Sequence, residues 1–328
     1  KMKNLKKLVV LVLTMAMVVS MAACGGGESG GDAAGDKYAV ILKTQATDFW
    51  VQMNDGVAAY AEENGIDIYL AAAQSDSDDA GQLAIVEQCI NDGYAGIAVA
   101  PVNAAALVAG VKAANDAGIT VVNIDEQFDP GEMESQGAVC SGFVSSDNKA
   151  IGQMGAEYIS EGLEAGSEVA IIAGIAGNVS SEDRQAGAEA GFEAKGMKLI
   201  TVQNCDWDMQ KALDAAATLI QQNPNLKAIY CCNDGMAAGV RQAIENEGKT
   251  GEILLCGTDG DADAIQAVAD GTMAATVAQD PAAIGVKSLE LLIAAVADPD
   301  AYPASAAPEK TPVDAILVTI DNAADYIK

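Results

Sequence analysis

Planar rings and hydroxyl-binding side chains follow the short apolar runs of this sequence, each just after a run ends. The chain has only two tryptophans, and both occupy such positions. Aromatic faces cover the C–H faces of a sugar ring, while carboxylate, amide and guanidinium groups bind adjacent hydroxyls with paired hydrogen bonds. We therefore predict a site for a polyhydroxylated ligand. The candidate residues are Thr47, Phe49, Trp50, Asp125, Glu126, Arg184, Trp207, Asn233, Asp259 and Gln279.

Several of these residues also have a purely structural explanation. A short polar residue just after a strand can cap the next helix, and a tryptophan beside a phenylalanine can belong to the core. Asp208, next to Trp207, is better explained as an N-cap than as a ligand group. The competing explanations are a cap or turn for Asp125, capping alone for Asn233 and Asp234, a surface helix for Arg184 and the core for Trp50.

The apolar runs predict the elements that position these side chains. They are too short and too continuously apolar for amphipathic helices, so we interpret them as parallel strands buried on both faces. The carboxyl ends of parallel strands lie at one edge of a sheet, where ligands bind. The predicted strands are Tyr38 to Leu42, Ile66 to Ala71, Ile97 to Ala100, Thr120 to Ile124, Val169 to Ile172, Lys198 to Val202, Ala228 to Cys232, Ile253 to Cys256 and Ala274 to Ala278.

Longer amphipathic stretches between these runs predict helices, many of which end at a glycine. The alternation indicates a doubly wound α/β fold. About four strand–helix units precede an interruption at Gln127 to Gln136 and four more follow it, so we predict two similar lobes. The late segments Pro281 to Ala297 and Val313 to Thr319 do not fit a simple tandem, which indicates that the chain crosses back between lobes.

The first residues have the pattern of an export signal. Four lysines precede the apolar run Leu8 to Met21, and small residues then precede Cys24. This order is typical of a secretory signal and resembles a bacterial lipobox, which predicts a lipoprotein signal peptide at 1–23 with lipidation of Cys24. An ordinary signal peptide with an incidental cysteine is the alternative. The Gly-rich segment 24–36 is predicted to be a flexible tether, placing the protein on the outer face of the cytoplasmic membrane.

Charge and residue counts exclude several kinds of site. The formal net charge is −29 and becomes −33 without the four lysines of the signal, which argues against nucleic acid or anionic lipid as a partner. Histidine is absent, so histidine-dependent catalytic triads are excluded and a structural zinc site is not expected. The six cysteines after Cys24 are predicted to be buried thiols, although pairing of Cys231 or Cys232 with Cys256 stays open.

Seven segments, in order, resemble the type I periplasmic sugar-binding proteins, and their ribose-binding branch most closely. The resemblance covers almost all of residues 37–328. It implies two Rossmann-like lobes with parallel sheets joined by three hinge crossings, residues 37–145 with about 280–314 forming one lobe and 146–279 with about 315–328 the other. The segments are YAVILKTQATDFWVQMNDG, VVNIDEQFD, GIAGNVSSEDRQAG, DWD, AIYCCNDGMAAG, CGTDGD and AATVAQDPAAIG.

The resemblance also implies roles for the candidate residues. Ring stacking is carried over to Phe49, Trp50 and Trp207, and hydroxyl binding to Asp125, Arg184, Asn233, Asp259 and Gln279. The chain departs from the ribose binder at four positions, where it has Thr47, Ala100, Glu126 and Thr258 instead of Asn, Asn, Arg and Phe. Because Glu126 makes the site more negative, we expect another pentose or hexose, a cyclic polyol, or an amino sugar whose ammonium meets Glu126.

The resemblance therefore predicts a monomeric, non-enzymatic solute-binding protein that delivers a monosaccharide or similar polyol to the membrane subunits of an ABC importer, without a cofactor or metal. A glycoside hydrolase with paired acids is the rival among enzymes, and a sugar-dependent repressor would need an N-terminal DNA-binding motif in place of the signal. A binding protein for a nucleoside or another ribose-containing signal, and a ligand sensor for a membrane receptor, are the remaining alternatives.

Overall fold

A computed structural model describes residues 36–327, and their first lobe is built on a six-stranded sheet. Its strands have the order β11-β5-β4-β3-β1-β2 and pair in parallel throughout. Most of these strands are buried on both faces because helices cover both sides. The strands are β1 (Tyr38–Leu42), β2 (Ile68–Ala72), β3 (Gly96–Val99), β4 (Thr120–Ile124), β5 (Phe143–Ser146) and β11 (Lys310–Val313).

The second lobe repeats this plan. Its six strands have the order β12-β10-β9-β8-β6-β7, and all pairs are parallel except β10 with β12. The two sheets confirm the predicted fold class of two α/β lobes. The strands are β6 (Glu168–Ala173), β7 (Lys198–Asn204), β8 (Leu226–Cys231), β9 (Leu254–Asp259), β10 (Ala275–Ala278) and β12 (Ile316–Thr319).

Ten α-helices flank the sheets in the described part of the chain, and none of them is long and apolar enough to cross a membrane. The first lobe has α1 (Asp48–Asn64), α2 (Asp79–Asn91), α3 (Val108–Asp116), α4 (Pro130–Gln136) and α10 (Pro281–Ala297). The second has α5 (Asn148–Ser160), α6 (Val179–Ala194), α7 (Met209–Gln222), α8 (Asp234–Asn246) and α9 (Ala262–Ala269), and a short 3₁₀ turn follows at Ala323–Asp325.

The segment Gln127 to Gln136, predicted as an interruption, contains the seven-residue helix α4. Asp129 caps this helix by accepting a hydrogen bond from the Glu132 backbone N–H at 2.8 Å. Pro130 supplies a first-turn residue that needs no N–H partner. Turn residues that look like a linker in the sequence therefore begin a short helix.

The chain passes between the two sheets three times, as predicted. The crossings follow β5 and β10 and separate β11 from β12. The late segments belong to both lobes. Helix α10 and strand β11 return to the first lobe, and β12 adds an antiparallel edge strand to the second. The numerical lobe boundaries stay a prediction. The predicted signal segment, Cys24 and all but the last residue of the tether lie outside the described residues.

Close helix packing in the second lobe depends on glycine. A Cβ on Gly152 of α5 would lie 1.9 Å from the Arg184 backbone oxygen of α6. A Cβ on Gly187 of α6 would lie 2.0 Å from the Lys149 backbone oxygen of α5. The two helices therefore meet backbone to backbone, and this contact fixes the turn of α6 that carries Arg184.

The six cysteines of the described region are all buried and free. The alternative of a disulfide between Cys231 or Cys232 and Cys256 is therefore wrong, and the prediction of buried thiols is confirmed. Burial raises the pKa of the Cys89 and Cys205 thiols to about 11. These thiols stay protonated near neutral pH and behave as small hydrophobic residues.

Candidate ligand-binding site

A cleft of about 500 Å³ lies between the lobes at the carboxyl ends of the strands. All ten residues predicted to bind ligand line it, together with three that were not predicted. The first lobe contributes Lys43, Thr47, Phe49, Trp50, Asp76, Asp125 and Glu126, and the second contributes Ser180, Arg184, Trp207, Asn233 and Asp259. Gln279, at the crossing after β10, completes the lining.

Unusual backbone conformations are concentrated at this cleft. The non-glycine residues with positive φ in the described chain are Asp125 (54°), Asp206 (54°), Trp207 (62°) and Asp259 (120°). Three of them line the cleft, and Asp206 precedes Trp207. Such conformations cost about 1–3 kcal/mol each and persist only where the surrounding structure holds them. These turns place the side chains of Asp125, Trp207 and Asp259 at the cleft.

Arg184 is the centre of a buried hydrogen-bond network in the second lobe. Its guanidinium donates from Nε to Asn148 Oδ1 at 2.8 Å and from Nη1 to the Cys232 carbonyl at 2.7 Å. Nη1 also reaches Asp259 Oδ1 at 3.3 Å. Arg184 is only 5% exposed, so the alternative of a surface helix residue is wrong. Burial lowers and Asp259 raises the pKa of Arg184, with a net increase, so the guanidinium remains charged.

Asp259 joins this network to the hinge. Its Oδ1 accepts a hydrogen bond from Gln279 Nε2 at 2.7 Å, besides the contact with Arg184. Burial raises the pKa of Asp259, whereas Arg184 and the amide of Gln279 oppose that rise. The carboxylate is therefore positioned before any ligand binds.

Trp207 forms the aromatic wall of the second lobe. A Cβ on Gly174 would lie 2.3 Å from Trp207 Cζ2, so the ring lies directly over the residue that follows β6. The Arg184 Cζ atom is 6.0 Å from the centre of the Trp207 ring, within reach of a cation–π interaction. The absence of a side chain at Gly174 thus leaves room for the ring, and the Arg184 guanidinium lies over it.

Phe49 and Trp50 form the aromatic wall of the first lobe. Their ring centroids are 4.9 Å apart and the planes meet at 88°, an edge-to-face pair. Both residues are buried and belong to the core that packs against β1 and α10. Trp50 therefore serves both as core and as cleft lining, so the two explanations considered for it are compatible.

Two hydrogen-bond acceptors in the cleft have no partner. Within residues 36–327, the buried side-chain polar atoms without one are Asp125 Oδ1, Gln279 Oε1 and Ser146 Oγ. The first two belong to cleft residues. Burial and the neighbouring Glu126 raise the pKa of Asp125 to about 7, against the opposing charges of Arg184 and Lys43. An unsatisfied buried acceptor costs free energy that a bound donor would recover.

Glu126 is held by residues of both lobes. Its Oε1 lies 3.4 Å from Lys43 Nζ in the first lobe and accepts a hydrogen bond from Asn178 Nδ2 of the second lobe at 2.9 Å. The Glu126 side chain is almost fully buried. Its charge is therefore already paired with a lysine, which weakens the hypothesis that an amino-sugar ammonium supplies the missing positive charge.

Two polar residues that follow strands act as helix caps. Asp208 accepts a hydrogen bond from the Lys211 backbone N–H at 2.8 Å, which confirms that it is the N-cap of α7. Asn233 Oδ1 accepts from the Met236 N–H at 2.8 Å and caps α8. Asn233 also lines the cleft, so its amide N–H groups remain for a ligand while its oxygen caps the helix.

Lys43, Asp76 and Ser180 line the cleft but were missed by sequence reasoning. Lys43 could have been found, because it directly follows β1 just as Asp125 follows β4. Asp76 and Ser180 lie in Ser/Asp-rich segments around helix starts, where such residues are common for capping reasons. Nothing in the local pattern distinguishes those two from their neighbours.

Residues 38–299 match the family model described as a periplasmic binding protein domain. The chain belongs to the type I periplasmic sugar-binding protein family. It is 46% identical over 285 residues to the D-allose-binding periplasmic protein of Escherichia coli, covering 86% of this chain and 92% of that protein. It is 31% identical to the ribose import binding protein of the same organism, covering 88% and 91%.

Solved structures of periplasmic binding proteins have the same fold. An ABC transporter periplasmic solute binding protein of Actinobacillus succinogenes with bound D-allose superposes with a TM-score of 0.80 and 27% identity. The match covers 89% of this chain and all of that one. The members of the family are solute-binding proteins, and this chain is a binding protein rather than an enzyme.

Proposed function

We propose that this periplasmic binding protein captures D-allose or a closely related aldohexose and delivers it to an ABC importer. The 46% identity to a D-allose-binding protein supports the choice of hexose, and it exceeds the 31% identity to the ribose import binding protein. The departures from the ribose-binding pattern at Thr47 and Glu126 point in the same direction. The nucleoside alternative is less favoured because these relatives are named for free sugars.

The observation that carries this proposal is the pair of unpartnered acceptors, Asp125 Oδ1 and Gln279 Oε1. Both are oxygens, and with Asp125 ionised the group that satisfies them donates hydrogen bonds. Sugar hydroxyls donate and also accept, which lets the same ligand accept from Arg184 and from the amide of Asn233. The rings of Phe49 and Trp207 stand on opposite lobes and would cover the apolar faces of the sugar.

The two lobes would close on the ligand because each holds only part of the site. Asp125 belongs to the first lobe and Arg184 to the second, while Gln279 lies at a crossing between them. A sugar bound to all three has more contacts in the closed form than in the open form. The ligand therefore shifts the hinge equilibrium toward closure, and the closed form is the one presented to the importer.

The test is a calorimetric titration of the purified protein with D-allose, D-ribose, D-glucose, myo-inositol and adenosine. We expect D-allose to bind most tightly and to quench or shift the emission of Trp207. At a free concentration 100 times Kd it should add about 3 kcal/mol to the free energy of unfolding. Binding of adenosine with no binding of any sugar or polyol would overturn the proposal in favour of a nucleoside.

Specificity for a neutral rather than an amino sugar can be tested at Glu126. The ratio of affinities for D-glucose and D-glucosamine should be the same in the wild type and in Glu126→Gln, because Lys43 already pairs with this carboxylate. A ratio that moves toward the neutral sugar in the variant would show that the ligand ammonium meets Glu126. The substituted glutamine keeps an oxygen for Asn178, so the comparison isolates the charge.

We also propose that the protein is exported and held at the outer face of the cytoplasmic membrane through lipidated Cys24, as a monomer. The periplasmic location of its relatives supports export, and the residues before Cys24 support the anchor. Wild-type cells should yield a labelled protein after growth with radioactive palmitate, and Cys24→Ala cells should not. A role in presenting the closed form to a membrane sensor would appear as sugar-dependent binding to that receptor.

A further inference from the structure

Asp234 lies directly behind the cleft without lining it. It is the first residue of α8 and only 3% exposed. Its Oδ2 accepts hydrogen bonds from the backbone N–H groups of Gly260 at 2.8 Å and Asp261 at 2.9 Å. The Thr276 hydroxyl of β10 lies 2.9 Å from each carboxylate oxygen. One side chain thus ties together α8, the connection after β9, and β10.

The carboxylate fills space that a side chain on β9 would otherwise occupy. A Cβ on Gly257 would lie 1.9 Å from Asp234 Oδ1, so only glycine lets the carboxylate reach this strand. Gly257 and Gly260 stand on either side of the cleft residue Asp259. Asp234 therefore contacts the chain just before and just after that residue.

Asp259 has a backbone conformation that needs such support. Its φ of 120° lies in a region that side-chain-bearing residues rarely adopt, at a cost of about 1–3 kcal/mol. This conformation points the carboxylate to Arg184 Nη1 and Gln279 Nε2. The two N–H groups that follow Asp259 are those bound by Asp234, so loss of these bonds would release the strained turn.

Capping of α8 does not explain Asp234. Asn233 already caps that helix through the Met236 N–H at 2.8 Å, whereas the donors that Asp234 binds belong to a different segment of the chain. Burial and the neighbouring Asp259 and Asp261 raise the pKa of Asp234, so the position is electrostatically costly. Among the described residues, the Asp234 carboxylate binds only the turn after β9 and Thr276 of β10. We therefore attribute its presence to the cleft residue that precedes this turn, Asp259.

We propose that Asp234 is a positioning residue for sugar binding: it holds the turn at Gly260 and Asp261, and thereby fixes the Asp259 carboxylate that the ligand meets. It acts through Asp259 and touches no ligand itself. This inference rests on the proposed function for the identity of the sugar, but the effect on the turn is independent of any ligand.

The first test is a double-mutant cycle measured by titration with D-allose. Asp234→Ala should weaken binding between about 10-fold and 100-fold, and Asp259→Ala by at least as much. Adding Asp234→Ala to Asp259→Ala should cost less than about 3-fold more, because the residue through which it acts is gone. Asp234→Asn keeps an oxygen for both N–H groups and should restore most of the affinity. Fully additive losses would overturn the proposal.

A second pair of variants breaks one bond of the turn without substituting Asp234. Asp261 has a φ of −60°, which suits proline, and Asp261→Pro replaces the N–H donor by a ring carbon that faces Asp234 Oδ2, so the bond cannot form. Asp261→Ala is the matched control for the lost side chain. The proline variant should bind D-allose about 10-fold more weakly than the alanine variant. Equal affinities would contradict the proposal, and this pair remains informative should Asp234→Ala not fold.

Hydrogen exchange in the ligand-free protein separates this inference from the proposed function. The Gly260 and Asp261 amides should be protected in the wild type and in Asp234→Asn, and should exchange much faster in Asp234→Ala. Asp129→Ala, which removes the cap of α4 in the other lobe, should leave these amides protected. Failure of D-allose to bind would reject the proposed sugar alone, whereas unchanged protection in Asp234→Ala would reject the positioning role.

Discussion

The two lobes prepare their halves of the cleft in opposite ways. In the second lobe, Arg184 and Asp259 are already satisfied by side chains and by a carbonyl at distances of 2.7 to 3.3 Å. In the first lobe, Asp125 has a buried oxygen without a partner. The second lobe is thus preorganised around fixed charges, while the first is completed only when a donor arrives. Ligand binding and folding stability should therefore respond differently to changes in each lobe.

The turns that carry these residues show a related contrast. In the first lobe Asn123 donates from Nδ2 to the Glu126 carbonyl at 2.7 Å and accepts from the Phe128 N–H at 3.0 Å. In the second lobe Asp234 accepts from two backbone N–H groups and a hydroxyl. An amide suits a turn that offers one donor and one acceptor, and a carboxylate suits one that offers only donors. In each lobe, the turn is held by a side chain whose donors and acceptors match the backbone groups of that turn.

The largest effect is expected from Arg184→Met. Removing the guanidinium leaves Asp259 buried without its charge partner, and breaking a buried ion pair costs about 3–5 kcal/mol. Both the free energy of unfolding and the affinity for D-allose should fall, as measured by denaturant titration and calorimetry. Arg241→Met, on α8 and outside the cleft lining, is the matched control and should change neither by more than about 1 kcal/mol.

Asp125→Asn should separate binding from stability in the first lobe. It removes a buried carboxylate whose oxygen has no partner, so the ligand-free protein should be at least as stable as the wild type. Asparagine also tolerates the positive φ at this position. The affinity for D-allose should nevertheless fall about 10-fold or more, because the amide that replaces the carboxyl has one acceptor oxygen instead of two. A parallel loss of stability and affinity, as expected for Arg184, would remove the distinction between the lobes.

The pH dependence of stability should reveal the same carboxyl group. The pKa of Asp125 rises from its usual 3.8 to about 7 in the folded protein, mainly through burial. A folded-state pKa above the unfolded value stabilises the protein at low pH, and that contribution is lost as the pH rises from about 4 to about 7. Unfolding free energies measured across this range should fall more steeply in the wild type than in Asp125→Asn. Identical slopes would contradict the buried-acid assignment.

A residue could be predicted from the sequence where its role is set by the local pattern around it. Strand ends are visible as limits of apolar runs, so the side chains that follow them, such as Asp125 and Trp207, were identified. Lys43 obeys the same rule but was missed, because the sequence does not show that its side chain pairs with Glu126. Asn123 and Asp234 could not be found, because their roles depend on backbone groups outside their own local pattern. The contact of Glu126 with Asn178 requires the two lobes to be placed together, which no local pattern encodes.

The smallest effect is expected at the side-chain contact that joins the lobes at Glu126. Asn178 caps α6 through its Oδ1 and donates from Nδ2 to Glu126 across the cleft. Asn178→Ser can keep the cap but loses the bridge, and should weaken D-allose binding only a few-fold. Asn178→Asp also keeps the cap but faces Glu126 with a like charge, so it should bind about 3-fold to 10-fold more weakly than the serine variant. Equal affinities of the two variants would mean that the lobes close without bringing residues 126 and 178 together.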